Sequence, residues 1–327
     1  MKILVVGVGS IGSRHLKNLA DLGNEVIAVD INADNLKKIE PFAKEVFISL
    51  EDALIMDSDA AFICTYSNDH IRPAMKCAEA GCHLFIEKPL SLNMHEVDKL
   101  VQVIEKNSLI SMVGCNMRFH PAIAAIHETL STNSLFSRPL WANLESGFYL
   151  PFDKKDYRNH YKALKSLGGN LIFDGIHELD YAAWFFGEPV EVICDKGIIS
   201  SLEIDTEDHV EMIVRFASGS VCTIHMDYLQ HGYSRHCKVV CSEGTIAWDF
   251  VRGDIGTITT SEPEWAWNDM KIDLCYNGMY LDEVRYFLDC IKSGKETFNS
   301  VGHSILVLKL ALAAERSAVT KAWEKVV

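Results

Sequence analysis

The run GGNLIFDGIHELD, residues 168–180, is largely apolar yet carries Asp174, His177, Glu178 and Asp180. A carboxylate beside an imidazole can fix the ring's tautomer and favour its protonated form, the requirement for a group that removes and returns a proton. The spacing predicts one helix over 171–186, with Asn170 as N-cap and Gly187 then Pro189 as its stop. On such a helix Ile172, Ile176, Leu179, Ala183 and Phe186 share an apolar face. Asp174, His177, Glu178 and Tyr181, at i, i+3, i+4 and i+7, make a polar stripe of touching neighbours. Asp174 is the acid expected to orient His177, and Asp180 is its rival. The residues alone leave a structural, hydrogen-bonded histidine open. His177-Glu178 lacks the second histidine of a zinc-protease helix, so no metal is expected there.

A second chemistry opens the chain. KILVVGVGSIGSRHLKNLADLG reads as a short β-branched strand, glycines at 7, 9 and 12, then a helix with Leu16 and Leu19 on one face. Gly7 permits a tight turn, Gly9 lets backbone approach a pyrophosphate, and Gly12 lets helix and strand pack closely, while the N–H groups around Ser10 and Ile11 face the phosphates. A second strand, EVIAVD, ends in Asp30, eighteen residues after Gly12, where a carboxylate can hold the ribose hydroxyls of a dinucleotide. Asp30 would repel a 2′-phosphate, and Ile31 and Asn32 offer it no cation, so the expected cofactor is NAD.

These residues need a scaffold. DAAFICTYS, a helix over about 70–80 and CHLFIEKP continue the alternation of strand and helix, which implies a parallel, doubly wound sheet with its ligand at the carboxyl ends of the strands. Two such ends are CTYSNDH (64–70), with Thr65, Ser67 and His70 expected beside the dinucleotide, and EKP (87–89), with Lys88. A lysine at that edge is by spacing alone as consistent with a solvated charge. The later segments HVEMIVRFASGSVCTIHMDYL and RHCKVVCSEGTIAWDF alternate about turns and predict hairpins rather than further βαβ units. The change of pattern places a domain boundary near 119, giving 1–119 and 120–327.

Composition bounds the partners. The chain has 327 residues, 48% of them apolar, enough for a core in each of two domains. A formal charge of −14 argues against nucleic acid or an anionic membrane as main partner. Ten scattered cysteines, with only Cys237 and Cys241 four apart, point to reduced thiols and a cytoplasmic location. No apolar run is long enough to span a bilayer, and no targeting segment is expected.

Together GVGSIG, CTYSNDH, EKP, VGCNMRF (113–119), the 168–180 run and the closing FLDCIKSGKE resemble the Gfo/Idh/MocA family of NAD(P)-dependent oxidoreductases from end to end. The resemblance implies an N-terminal Rossmann domain and a C-terminal α/β domain whose open, mainly antiparallel sheet often serves as a homo-oligomer interface. It implies that Lys88 holds the reacting hydroxyl of a sugar-like substrate, that Glu87, Asn116 and Arg118 are its partners, that His177 is the acid–base group, and that the bond before Pro89 is often cis. The family commonly places its acid four residues before the histidine; here Phe173 holds that position and Asp174 stands three before, a spacing similar to that of a branch acting on surface-polysaccharide sugars. A related lyase or hydrolase that uses NAD transiently, or a non-catalytic NAD-binding sensor, stays open, although Lys88 and His177 speak against the sensor.

The segment PFDKKDYRNHYKALK (151–165) sets Lys154, Lys155, Arg158, Lys162 and Lys165 against only Asp153 and Asp156. Tyr149, Tyr157 and Tyr161 interleave with these cations. The pattern suits a site that stacks on a ring and grips negative oxygens, with Tyr149, Arg158 and Tyr161 as substrate contacts and an anionic sugar as substrate. A solvated basic loop is the alternative.

Overall fold

The computed structural model describes residues 1–270 and 276–327. The chain divides into two compact units: residues 1–116 with 277–308, and residues 117–276 with 309–327. The expected division at 119 did not include the return of 277–308 to the first unit. No spacing in the sequence marks that return.

In the first unit β1 (Lys2–Val6), β2 (Glu25–Val29), β3 (Glu45–Phe47), β4 (Ala60–Ile63), β5 (His83–Glu87) and β6 (Ser111–Gly114) form a parallel sheet in the order β3-β2-β1-β4-β5-β6. β1, β4 and β5 are almost wholly buried, as strands covered on both faces must be. The order reverses between β1 and β4, the place where such sheets leave a crevice beyond the strand ends. Leu16 and Leu19 of the helix Ser10–Asp21 are buried as the periodicity requires.

The second unit holds β7 (Pro139–Gly147), β8 (Pro189–Gly197), β9 (His209–Phe216), β10 (Val221–Asp227), β11 (Ser234–Cys241), β12 (Gly244–Asp249), β13 (Asp254–Thr259), β14 (Ala266–Asp269) and β15 (Glu324–Lys325). They form one sheet in the order β14-β13-β12-β11-β7-β10-β9-β8-β15, antiparallel except where β7 runs beside β10. Both expected hairpins are present, as the pairs β9–β10 and β11–β12. β9 buries Val210, Met212, Val214 and Phe216 on one face and turns Glu211, Ile213 and Arg215 outward.

The expected helix over 171–186 is two pieces, Leu171–Asp174 and Ile176–Phe186, broken at Gly175. Asn170 caps the first as expected, accepting from the N–H groups of Ile172 and Phe173. Gly175 sits so close to β10 that a Cβ there would lie 2.3 Å from Met226 Sδ. Asp174 therefore closes one short helix and His177 opens the next.

Candidate active site

At the nucleotide end the three glycines differ in what they make room for. Gly7 has a φ of +85°, and a Cβ on it would meet Cys64 O at 2.7 Å. A Cβ on Gly12 would stand 1.8 Å from Gly7 O, so that glycine is required by helix–strand contact. Around Gly9 a Cβ would meet nothing within 4 Å. The protein itself does not need glycine at 9, and the open space there fits a ligand's approach to the backbone. Ser10 and Ile11 begin the helix behind it. Asp30, at the end of β2, accepts from Val8 N and Asn32 N, each at 2.8 Å, and from Asn35 Nδ2 at 3.2 Å, which braces the loop.

The other strand ends are more inward-looking than expected. Thr65 donates to Asp69 O at 2.8 Å, and Ser67 begins the short turn Ser67–Asp69. His70 is 2% exposed, its ring nitrogens 2.7 Å from Pro89 O and 3.1 Å from Thr65 O. With both nitrogens on backbone carbonyls it ties the ends of β4 and β5 together. Burial lowers its pKa from the usual histidine value despite those carbonyls. Glu87 is likewise turned inward: Oε1 meets His15 Nε2 at 2.7 Å and Oε2 accepts the N–H of Lys88 at 3.2 Å. Asn116 is buried, with Nδ2 3.4 Å from Met279 Sδ. Lys88 is half-buried just beyond β5, and the Lys88–Pro89 bond is cis.

In the second unit Asp174 is held on both oxygens. Tyr161 Oη donates to Oδ1 at 2.8 Å; Lys162 Nζ and Tyr228 Oη reach Oδ2, each at 3.2 Å. Lys162 lies 4.4 Å above the Phe148 ring, and burial with the Asp174 charge raises the Tyr228 pKa well above the usual tyrosine value. His177, half-buried, follows one break of helix later. Tyr149 stacks on His231 at 4.3 Å.

Three expectations change here. Glu178 is fully buried and bonded to Arg235 at 2.6 Å and Tyr181 Oη at 3.1 Å, so it belongs to an internal ion pair rather than to a proton-transfer stripe. Asp180 is paired with Arg118 through Nε and Nη2, both at 2.8 Å, in a site where both side chains are buried. That bidentate pair engages both oxygens of Asp180 with Arg118 and pins the two elements that carry them. Arg158 is exposed and paired with Glu203, and Lys165 N is held by Asp205 at 2.7 Å. Lys162 meets Asp174 and Lys154 lies near Asp153 of its own segment, so of the five cations Arg158 and Lys162 are paired with carboxylates from outside the run.

Residues 1–115 match the profile of the oxidoreductase family with an NAD-binding Rossmann fold, and residues 132–247 match the GFO/IDH/MocA C-terminal domain. The chain belongs to the Gfo/Idh/MocA oxidoreductase family. It is 28% identical to myo-inositol 2-dehydrogenase of Thermotoga maritima, over 98% of this chain and 97% of that protein. It is 24% identical to UDP-N-acetylglucosamine 3-dehydrogenase of Acidithiobacillus ferrooxidans over 91% of each. Levoglucosan dehydrogenase in complex with NADH shares the fold, with a TM-score of 0.91 at 18% identity over 100% of this chain and 99% of that one.

As a Gfo/Idh/MocA oxidoreductase the protein uses NAD, and the open backbone at Gly9 and the carboxylate of Asp30 fit that cofactor. Lys162 and Tyr228 are the polar partners of Asp174 that sequence reasoning missed. Tyr228 lies 54 positions from Asp174, and the packing of the helix Leu171–Asp174 against β10 brings it there. Lys162 was visible only as one cation among five. Of the described residues, none forms a helix long and apolar enough to cross a membrane.

Proposed function

We propose that this oxidoreductase transfers a hydride between one secondary alcohol carbon of a ring polyol or sugar and NAD. The observation that carries the reading is the polar cluster around Asp174, whose carboxylate meets the Lys162 ammonium and the Tyr161 and Tyr228 phenols three positions before His177. Groups that donate and accept hydrogen bonds side by side suit a hydroxyl-rich ring. Myo-inositol and scyllo-inositol dehydrogenases among the relatives support the same substrate class. An anionic or nucleotide-linked sugar was the expectation from the run of cations, and the pairing of Arg158 with Glu203 and of Lys162 with Asp174 weakens the support for it.

In this reading Lys88 stabilises the alkoxide character that develops on the reacting oxygen, a contribution that grows as water is excluded. His177 takes that oxygen's proton in oxidation and returns it in reduction. Asp174, fixed by Tyr161, Lys162 and Tyr228, keeps a negative charge close in sequence to His177 and positions the ring hydroxyls. Gly7, Gly9, Gly12 and Asp30 hold the dinucleotide, with Ser10 and Ile11 at the helix start. NAD supplies the hydride acceptor at nicotinamide C4. The outward face of the nine-stranded sheet, where Trp141 and Ile213 stand exposed, is where we place a second copy of the chain. The testing experiment is NADH formation against a panel of cyclic polyols, neutral sugars, acidic sugars and nucleotide sugars. The reading expects the cyclic polyols or neutral sugars to lead by at least tenfold in kcat/KM, and a nucleotide or acidic sugar in the lead would replace it.

A further inference from the structure

The first unit contains a polar cluster that no step so far uses. His15, Glu87 and Glu283 are all buried, and one ligand-capable atom from each lies within 4.8 Å of the others. They come from three separate elements: the helix Ser10–Asp21 behind the glycine loop, the end of β5, and the helix Gly278–Ser293. The His15 ring packs against Phe62 and Phe85, with centroids at 5.6 and 5.1 Å, so the cluster sits in an apolar shell where each polar contact is strong and an unmade one is costly. Nδ1 of His15 has no hydrogen-bond partner. Nε2 lies 2.7 Å from Glu87 Oε1, and the other oxygen of the same carboxylate accepts the N–H of Lys88. On the far side, His70 Nδ1 lies 2.7 Å from Pro89 O.

We infer that His15 is a positioning residue for Lys88: it fixes the Glu87 carboxylate, which in turn fixes the peptide that carries Lys88. This rests on Lys88 being the group that meets the reacting oxygen. The physical reason is leverage. A carboxylate with one oxygen on an imidazole and the other on a backbone N–H has no rotational freedom left. Without the imidazole it is free to swing toward better solvation and take the Lys88 peptide with it. Misplacement of a catalytic group by about 1 Å costs on the order of a hundredfold in rate.

The test compares His15→Leu, His15→Gln, Lys88→Ala and the double variant His15→Leu/Lys88→Ala in steady-state kinetics, with NAD affinity from quenching of intrinsic fluorescence. His15→Leu is expected to lower kcat by roughly ten- to a hundredfold while KM and NAD affinity stay within about threefold. His15→Gln, whose amide nitrogen reaches the Nε2 position, restores most of the loss. In the Lys88→Ala background His15→Leu has no further effect, because the lever has nothing left to move. If His15→Leu does not fold, His15→Asn breaks the same contact with a polar side chain and stands in for it. Multiplying losses in the double variant, a proportional fall in NAD affinity, or a His15→Gln variant as slow as His15→Leu would each overturn the inference and leave the role of Lys88 intact. Parental turnover in Lys88→Ala would overturn the underlying reading instead, and this inference with it. A tightly bound divalent metal whose removal by chelator lowers turnover of the parent but not of His15→Leu would show the cluster to be a metal site, which also overturns it.

Discussion

Replacing Gly9 by alanine separates what the fold needs from what the cofactor needs. The backbone at Gly9 has φ −65° and ψ −152°, and an added Cβ would meet no protein atom within 4 Å. Alanine restricts the unfolded chain, worth about 0.4–1 kcal/mol in favour of folding, and is a poorer N-cap than glycine by roughly the same amount. The two effects nearly cancel, and with ψ outside the range alanine favours the cofactor-free Tm is expected to fall by no more than about 5 °C. The methyl group does occupy the space where a pyrophosphate must approach the loop. Losing one backbone hydrogen bond to a charged oxygen costs about 1.5–3 kcal/mol, so NAD affinity should fall roughly ten- to a hundredfold. Gly12→Ala is the control with the opposite profile. Its Cβ would sit 1.8 Å from Gly7 O, which forces helix and strand apart at a cost of about 3 kcal/mol or more. The assays are differential scanning fluorimetry on cofactor-stripped protein and titration with NADH followed by its fluorescence. A Gly9→Ala variant that binds NADH within threefold of the parent would refute the placement of the pyrophosphate, and one that unfolds would refute the packing argument.

Arg118→Met should destabilise the protein by about 3–5 kcal/mol in urea unfolding, because it leaves Asp180 buried without its partner; a loss under 1 kcal/mol would show that the pair is solvated. His120 is 1% exposed, and burial, reinforced by Arg235, lowers its pKa to about 4. Its folded value lies below the unfolded value of about 6.5, so the unfolded chain takes up the proton first as pH falls. Stability is therefore lost between about pH 6.5 and 4, by up to about 3 kcal/mol from this residue, and His120→Phe should flatten that part of the curve; an unchanged slope would contradict it. NAD should bind at least tenfold better than NADP, about 1.4 kcal/mol from one carboxylate–phosphate contact at Asp30, and equal dissociation constants would refute that role.

The nucleotide half was legible because its chemistry is local. Gly7, Gly9, Gly12 and Asp30 lie within one βαβ unit, although the backbone that excludes a side chain at Gly7 belongs to Cys64, just after β4. The hairpins were legible because β9 and β10 alternate strictly. The second half of the site was read less well because its contacts are long-range. Asp174 and Tyr228 are 54 apart in sequence, Arg118 and Asp180 are 62 apart, and Arg158 and Glu203 are 45 apart. A net charge counted along a window cannot see a carboxylate that returns from elsewhere, as Glu203 does to Arg158 and Asp174 to Lys162. The break at Gly175 was hidden because the periodicity of 171–186 persists across it, and the close approach of Met226 that keeps a side chain from position 175 comes from a distant strand.

The most direct test of the account follows the hydride itself. A ring polyol deuterated at its secondary carbon is incubated with the enzyme and NAD, and the nicotinamide product is examined by mass spectrometry and NMR. The account predicts that deuterium arrives at nicotinamide C4 in stoichiometric NADH, and that Lys88→Ala and His177→Ala slow the transfer by roughly a hundredfold or more with NAD affinity nearly unchanged. Substrate turnover with no accumulation of labelled NADH, or full transfer rates in His177→Ala, would contradict it.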